Sequence, residues 1–418
     1  MKTFSPKLFS ALKNYSIKDF SADAVAGVIV AIIALPLSIA LAIASGVSPE
    51  KGLYTAIIAG LVIGVLGGSR VNISGPTAAF ATIVAGVVAT HGISGLVLAT
   101  VMAGVMLILM GVLRLGSLIR FIPTSITVGF TSGIAVTIVI GQIKDFLGLT
   151  FKAGTVAIES AEKIEAIAHS ITTLNPWALG VGLLSLAVLI VWPKINKKIP
   201  ASLIAVVVGI VVVLAFSLKV NTIGDLYQIS SSLPSFAMPE FTVDKALAVL
   251  PSAFTIAILA GIESLLSCVV SDGMIGDKHN SNTELIAQGV GNIFSGLFGG
   301  IPATGAIART AANVKNGGKS PVAAIVHAVV LLLILVVLMP YAAFIPMPVI
   351  AAILFIVAYN MSEWRHFVSL VKTAPKTDVL VLVLTFVLTV AFDLVVAIAV
   401  GMVIHLLFKL IAKLKKTA

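Results

Sequence analysis

The chain has 418 residues, 59% of them hydrophobic and only 11% charged, with a mean hydropathy of +1.15 and a net charge of +10. A soluble domain carries roughly a quarter charged residues, so this composition excludes a soluble enzyme, a disordered chain, a disulfide scaffold and a coiled coil. It leaves a polytopic helical membrane protein, and the excess of Lys and Arg reads as the charge bias that orients membrane helices rather than as a nucleic-acid footprint.

In chain order, residues 1–22 carry Lys2, Lys7, Lys13 and Lys18 with no apolar core before Ala24, which does not fit a cleaved signal peptide. Windows free of Asp, Glu, Lys and Arg, divided at Gly/Pro clusters, then predict fourteen membrane segments: 23–44, 52–68, 76–90, 94–113, 123–147, 176–193, 199–217, 246–271, 284–300, 305–315, 320–339, 341–359, 376–392 and 394–412. The third and tenth are short. Residues 361–374 place Trp364, Phe367, Val368 and Val371 on one face and predict an interfacial amphipathic helix. With the N-terminus inside, connections on the inner side hold 19 Lys/Arg against 6 on the other, Arg70 and Arg309 being set aside as special sites. That asymmetry predicts both termini in the cytoplasm.

The sequence repeats itself. Gly64, Gly67 and Gly68 recur as Gly296, Gly299 and Gly300 at an offset of 232, and Phe121-Ile122-Pro123 recurs as Phe344-Ile345-Pro346 at an offset of 223. Seven segments per half is an odd number, so the halves are expected in opposite orientation, an inverted repeat of the kind found in secondary transporters.

After the Gly-Gly pair each half enters a polar break, Ser74-Gly75-Pro76-Thr77 and Pro302-Ala303-Thr304-Gly305. Irregular backbone at membrane depth survives only where it lines a cavity or is buried in protein. Ser74 or Gly75 is expected to cap one short helix with Pro76 at its first position, and Thr304 to cap another opening at Gly305. Two facing helix N-termini attract an anion. Glu263 lies inside a predicted span, with Ser267 one turn on along the same face. A carboxylate there suits coupling by Na+ or H+ better than anion binding. Arg309 either faces the anion or pairs with Glu263.

The remaining polar residues carry blander expectations. His327 and His405 read as satisfied core histidines, Cys268 as a packed small hydrophobe, and Asp393 as a loop marker. Arg70 is expected to bind lipid phosphate or cap span ends. Asp272, Asp277, Lys278, His279 and Glu284 read as a polar cytoplasmic connection, with no metal site expected there. The sequence contains no Walker A motif, and no nucleophile–base pair or metal cluster is expected at span depth, so neither ATP hydrolysis nor any other enzymatic activity is expected.

Ser74-Gly-Pro-Thr-Ala-Ala-Phe80, the run Gly261-Ile-Glu-Ser-Leu-Leu-Ser-Cys-Val-Val-Ser-Asp-Gly273 followed by Lys278-His279-Asn280-Ser-Asn-Thr-Glu-Leu285, and Gly299-Gly-Ile-Pro-Ala-Thr-Gly-Ala-Ile-Ala-Arg309-Thr resemble the SulP (solute carrier 26) anion transporters, over nearly the whole chain. The bacterial C4-dicarboxylate transporter branch is the most similar, and cyanobacterial bicarbonate transporters also resemble it. The resemblance implies an all-α fold of fourteen segments in two inverted repeats, a fold type shared with uracil carriers. It divides the chain into an N-terminal segment (1–22), core parts (23–113 and 246–339), gate parts (114–218 and 340–412) and a basic tail (413–418). It places Thr77, Ala78 and the backbone of Gly305, Ala306 and Ile307 at the anion, with Arg309 beside them. It gives Glu263 and Ser267 to the coupling ion, and it lines the pocket with the segment around Leu35, Pro36 and Leu37. Many members have Gln where this chain has Leu37, which argues against sulfate and for a dicarboxylate. Members usually carry a cytoplasmic STAS domain after the last span, which this chain, ending at Ala418, is expected to lack.

The expected activity is secondary active transport of a small inorganic or carboxylate anion (C4-dicarboxylate, bicarbonate or sulfate). It is expected in the bacterial inner membrane, with H+ or Na+ as the coupling ion, no cofactor, an elevator-like movement and a homodimeric state. An anion exchanger or channel, and a nucleobase carrier on the same fold, are the alternatives.

Overall fold

The computed structural model describes residues 4–117, 123–152, 155, 157, 159–196, 199–392 and 394–417, with side chains described up to 409 except at 394 and 395. Phe121, Ile122, Asp393 and the side chains of the basic tail therefore lie outside the described residues. With no water at membrane depth, apolar backbone must bond to itself, and the apolar runs accordingly fold as helices.

The first half comprises α1 (Lys7–Ala11), α2 (Ile17–Ala44), α3 (Pro49–Leu66), strand β1 (Ser74–Gly75), α4 (Ala81–Val112), α5 (Thr124–Leu147), α6 (Ser160–Ser170), α7 (Pro176–Ile195) and α8 (Ala201–Ala215). After a short α9 (Ile223–Leu226) come α10 (Val243–Ile275), α11 (Ser281–Leu297), strand β2 (Thr304–Gly305), α12 (Ile307–Lys315) and α13 (Val322–Leu338). Helices α14 (Met347–Met361), α15 (Trp364–Thr373), α16 (Lys376–Ala391) and α17 (Leu394–Thr417) complete the chain.

Every predicted segment holds a helix, and among the described residues 8 helices are long and apolar enough to cross a membrane. The third and fourth segments divide as expected: within α4 the helix is broken at Gly92, whose φ 66° and ψ -173° are not helical. Two details differ from expectation. The expected twelfth segment opens with a 3-10 turn over Met339–Phe344 before α14. Helix α6, inside a polar stretch with Glu162, Lys163 and Glu165, was not predicted at all. Helix α15, over the expected interfacial stretch, has no buried residue and exposes Trp364, Val368 and Val371.

The helices pack in two groups. In one, α4 lies along α10 and α11, and α13 lies on α2 and α3. In the other, α5 is flanked by α14 and α16, and α7 by α8 and α14. Small residues let backbones touch within the first group: a Cβ on Gly104 would stand 2.6 Å from the Gly289 carbonyl oxygen.

The ends of the first group are tied by polar contacts. Asp23, fully buried on α2, accepts the Lys319 and Ser320 backbone N–H groups at 2.6 and 3.1 Å, the Tyr15 hydroxyl at 2.7 Å, and the Ser320 hydroxyl. This caps the approach to α13 from another helix. Asp277 pairs with Lys7 at 3.1 Å and Arg70 at 3.0 Å, so Arg70 is tied to the polar connection after α10. Burial raises the Asp277 pKa, but the Lys278 backbone N–H, Lys7 and Arg70 outweigh it and hold the carboxyl below its ordinary value.

Candidate functional site

The two polar breaks meet. β1 and β2 pair antiparallel, Ser74 opposite Gly305 and Gly75 opposite Thr304, and are the only strand pair among the described residues. The Ala306 N–H donates to the Ile73 carbonyl at 2.8 Å. Antiparallel pairs alternate between bonded and unbonded registers, so Ser74/Gly305 is the unbonded pair and the Gly305 N–H points away from β1. Gly305 is also where another residue does not fit: a Cβ there would lie 2.7 Å from Asn72 Nδ2 and 3.1 Å from the Ser264 Cα.

Each strand leads straight into a helix start. After β1, Thr77 precedes a 3-10 turn over Ala78–Phe80 that runs into α4. After β2, Ala306 precedes α12, whose first intrahelical bond runs from the Thr310 N–H to the Ala306 carbonyl at 2.8 Å. Neither start has a side-chain cap. The expected caps are spent otherwise. Ser74 and Gly75 form β1, and Thr304 sits in β2 with its hydroxyl donating to the Ala260 carbonyl at 2.8 Å. The missing caps leave the first-turn N–H groups of residues 307–309 without helical partners. The Ala306 N–H, expected at the anion, is committed to Ile73.

Within otherwise buried runs, Leu37, Thr77, Glu263 and Ala306 are half-buried, and Ile307 and Ala308 are exposed. Ala78 is buried at the helix start. The Thr77 hydroxyl donates to Glu263 Oε2 at 2.8 Å, joining the first break to α10. Glu263 thus bonds Thr77 and forms no ion pair with Arg309. The Arg309 guanidinium is 2% exposed and braces the back of β1: Nη2 donates to the Pro76 carbonyl at 3.2 Å and contacts the Ser38 hydroxyl at 3.4 Å. Nη1 lies against Gly75, where a Cβ would come within 2.6 Å, and has no partner among the described residues.

Ser267 shares the face of Glu263 but reaches different groups. Its hydroxyl contacts Asn72 Oδ1 at 2.7 Å and Thr310 Oγ1 at 3.2 Å, and it is fully buried. It belongs to a network that sequence reasoning missed, centred on Glu284. Placed in the polar connection by its neighbours in sequence, Glu284 is instead fully buried in the first turn of α11. Its Oε2 accepts the Gly68 N–H at 2.9 Å. Its Oε1 accepts Asn72 Nδ2 at 2.8 Å, the Ser264 hydroxyl at 2.9 Å and Gln288 Nε2 at 3.0 Å. Gln288 also donates to the Ser74 hydroxyl at 2.9 Å. Asn292 clamps the Ala303 backbone at both its N–H (2.8 Å) and its carbonyl (2.9 Å). Asn313 donates to the Val71 carbonyl at 2.9 Å. The breaks are therefore held by side chains from α10, α11 and α12 that satisfy backbone no helix can serve. The signal in sequence was faint: polar residues at 284, 288 and 292, one helical turn apart in an apolar segment.

The two histidines part company. His405 lies 3.8 Å from Asp378. His327 is fully buried and, contrary to expectation, neither ring nitrogen has a hydrogen-bond partner among the described residues. Cys268 is buried, as expected of a small hydrophobe. Among the described residues no cluster of His, Cys, Asp and Glu is arranged to hold a metal.

Broken helices meeting in a polytopic helical bundle, with uncapped N-termini beside a carboxylate, are an arrangement typical of membrane carriers with interrupted spans. A family profile described as "Sulfate permease family" matches residues 20–385. "Putative sulfate transporter YvdB" of Bacillus subtilis (strain 168) is 44% identical over 383 residues, covering 90% of this chain and 70% of that protein. "Bicarbonate transporter BicA" of Picosynechococcus sp. is 33% identical over 382 residues, covering 88% and 67%. The solved transmembrane domain of a cyanobacterial BicA superposes with a TM-score of 0.82 at 31% identity, covering 92% of this chain and 98% of that one. Murine Solute Carrier 26 family member A9 in its inward-facing state shares the fold, with a TM-score of 0.88 at 21% identity, covering 97% and 71%. The chain belongs to the sulfate permease (SulP/solute carrier 26) family of anion transporters. It is a multi-pass membrane protein, and its relatives are transporters rather than enzymes.

Proposed function

We propose that this protein is a secondary active carrier of a small anion, bound between the starts of the α4 and α12 helices. The observation that carries this reading is the β1/β2 pair, which brings two uncapped helix starts to one place. The N–H groups of Ala78, Gly305 and Ile307 are the anion's donors, joined by the Thr77 hydroxyl when its one proton turns from Glu263 to the anion, and Leu37 forms part of the wall. Arg309, buried behind β1 with no ion pair among the described residues, adds positive potential. Glu263 is the coupling site for H+ or Na+, since its bond to Thr77 lets one group respond to both cation and anion. Ser267 supports the Asn72–Thr310 wall behind it.

Sulfate, bicarbonate and a C4-dicarboxylate are the substrates to test, the first two being named for relatives and the third favoured by Leu37. The two packing groups are read as a core (23–113 and 246–339) that moves elevator-fashion against a gate (114–218 and 340–412), the halves being inverted repeats. Lys7, Arg70 and Asp277 gather at one end of the fold, while Lys51 contacts Gly299 at 3.3 Å and Tyr54 contacts Ser232 at 2.8 Å. This grouping supports cytoplasmic termini in a bacterial inner membrane. The protein is read as a homodimer there, in keeping with its family.

The test is uptake of labelled sulfate, bicarbonate, succinate and fumarate into proteoliposomes at varied pH and Na+, with Glu263→Gln alongside. Uptake that follows one ion gradient in the parent and loses that dependence in Glu263→Gln is expected. Gradient-independent uptake in both proteins refutes the coupling role. Currents far above carrier turnover select a channel, and competition by uracil but not by anions selects a nucleobase carrier.

A further inference from the structure

Away from the β1/β2 crossing, the end of α5 borders a cleft of about 220 Å3 lined by Ile140, Gly141, Lys144, Phe151, Lys163 and Ile167. A smaller cleft of about 60 Å3 shares Lys144 and adds Asp145, Asn175 and Asn221. Lys144 Nζ stands 5.0 Å from the centre of the Phe151 ring. A Cβ on Gly141 would lie 3.9 Å from Lys163 Nζ, so the Lys163 ammonium rests on α5 less than one turn before Lys144. Two ammonium groups from different helices thus border one cleft, and neither forms an ion pair among the described residues. Partial burial lowers the Lys163 pKa, only partly offset by neighbouring Glu162. Lys163 is half-buried and Lys144 exposed, each with a carboxylate next to it in sequence, Glu162 and Asp145, but neither lysine is directly paired among the described residues, so both ammonium groups can donate to one anion in the cleft.

What lies beside the cleft indicates which anion. Val136, Val139, Ile140 and Lys144 follow the helical spacing of a single face of α5, and Val136 and Val139 are exposed. On α6, Ile164 is exposed, with Ile171 just past the helix end. The cleft therefore sits where an apolar stripe gives way to polar chain, at headgroup depth. A free inorganic anion would use the lysines and leave the stripe unused. An anionic lipid uses both.

We propose that this cleft is a phospholipid site, in which Lys144 and Lys163 hold the phosphate of an anionic lipid and an acyl chain lies along Ile140, Val139 and Val136. The bound lipid would fasten α6 to α5, on the packing group opposite the anion pocket. The inference does not depend on what the protein transports.

The test uses the full chain in mild detergent, with phosphatidylglycerol, phosphatidylcholine and inorganic phosphate as probes and native mass spectrometry as the readout. One phosphatidylglycerol should remain bound under conditions that strip phosphatidylcholine. Lys144→Gln/Lys163→Gln should weaken phosphatidylglycerol retention by about thirtyfold, roughly fivefold per lysine at a membrane surface. Val136→Ser/Val139→Ser should weaken it as well, and excess inorganic phosphate should not displace the lipid. If the double lysine variant does not elute as a folded species, the single Lys163→Gln and the charge-retaining Lys163→Arg carry the comparison. Equal retention in parent and lysine variants overturns the site. Displacement by inorganic phosphate, with no effect of the valine changes, overturns the lipid and makes this a soluble-anion site.

Discussion

Removing the Glu284 carboxyl group should damage the protein more than removing any carboxylate at its surface. Four donors converge on it, at 2.8–3.0 Å: the Gly68 N–H, Asn72 Nδ2, the Ser264 hydroxyl and Gln288 Nε2. Glu284 itself is 0% exposed, so water cannot replace it without the structure opening. An unsatisfied buried donor costs about 1–3 kcal/mol, and Glu284→Ala strands all four. Gln288 retains Ser74 and local repacking recovers part of the loss, which leaves a net cost of about 3–6 kcal/mol. That is a large share of the ~5–15 kcal/mol that holds a typical fold together. Glu284→Gln keeps the volume and three of the four contacts, but sets an amide N–H2 against the Gly68 N–H, for about 1–3 kcal/mol. The assay is a thermal melt of detergent-solubilised protein followed by fluorescence-detected gel filtration, with anion uptake measured on the surviving folded fraction. Stability should fall in the order parent, Glu284→Gln, Glu284→Ala, and uptake should fall in the same order. A Glu284→Ala melt within about 1 °C of the parent, about 1 kcal/mol on the usual scaling for a chain of this length, would refute the claim that this network holds the two breaks together.

Three further outcomes are expected. Gly305→Ala puts a methyl group 2.7 Å from Asn72 Nδ2 and should abolish uptake while the protein still inserts into the membrane; parental uptake would show that the close approach is dispensable. Thr77→Val removes the donor to Glu263 and should raise the KM for the anion by about tenfold, the worth of one hydrogen bond to a charged group, whereas Thr77→Ser should retain most of the affinity. An unchanged KM in Thr77→Val would remove Thr77 from the site. Asp277 is held below its ordinary pKa, so its pairing with Lys7 and Arg70 is complete above the unfolded value of about 3.9 and is lost as the pH falls through the lower folded value. Hydrogen exchange over residues 4–16 should therefore speed up near pH 3 relative to pH 6 beyond the intrinsic pH effect, and Asp277→Asn should show the faster exchange at both.

Much of this architecture is legible in the residues themselves. Apolar windows set the helices because backbone in lipid has no other partner, and each of the predicted segments holds a helix. The Gly-Gly pairs and the polar runs at 74–77 and 302–305 mark where those helices break. Local rules misjudged what happens at the breaks. Capping logic assigns Ser74 and Thr304 to helix ends, yet both are drawn into a two-residue pair with a partner more than 200 residues away. Sequence neighbours place Glu284 in a polar loop, while the structure buries it because the donors it serves come from α3's far end, α10 and α11. His327 looks satisfiable by any nearby carbonyl, yet among the described residues neither of its ring nitrogens forms a hydrogen bond. Sequence by itself determined the solvent, the apolar helices and the positions of the interruptions, since each depends on composition within a few turns. Only the tertiary structure decided which interruption faces which, and which buried polar group completes which backbone, because those partners are distant in the chain and meet only once the helices have packed.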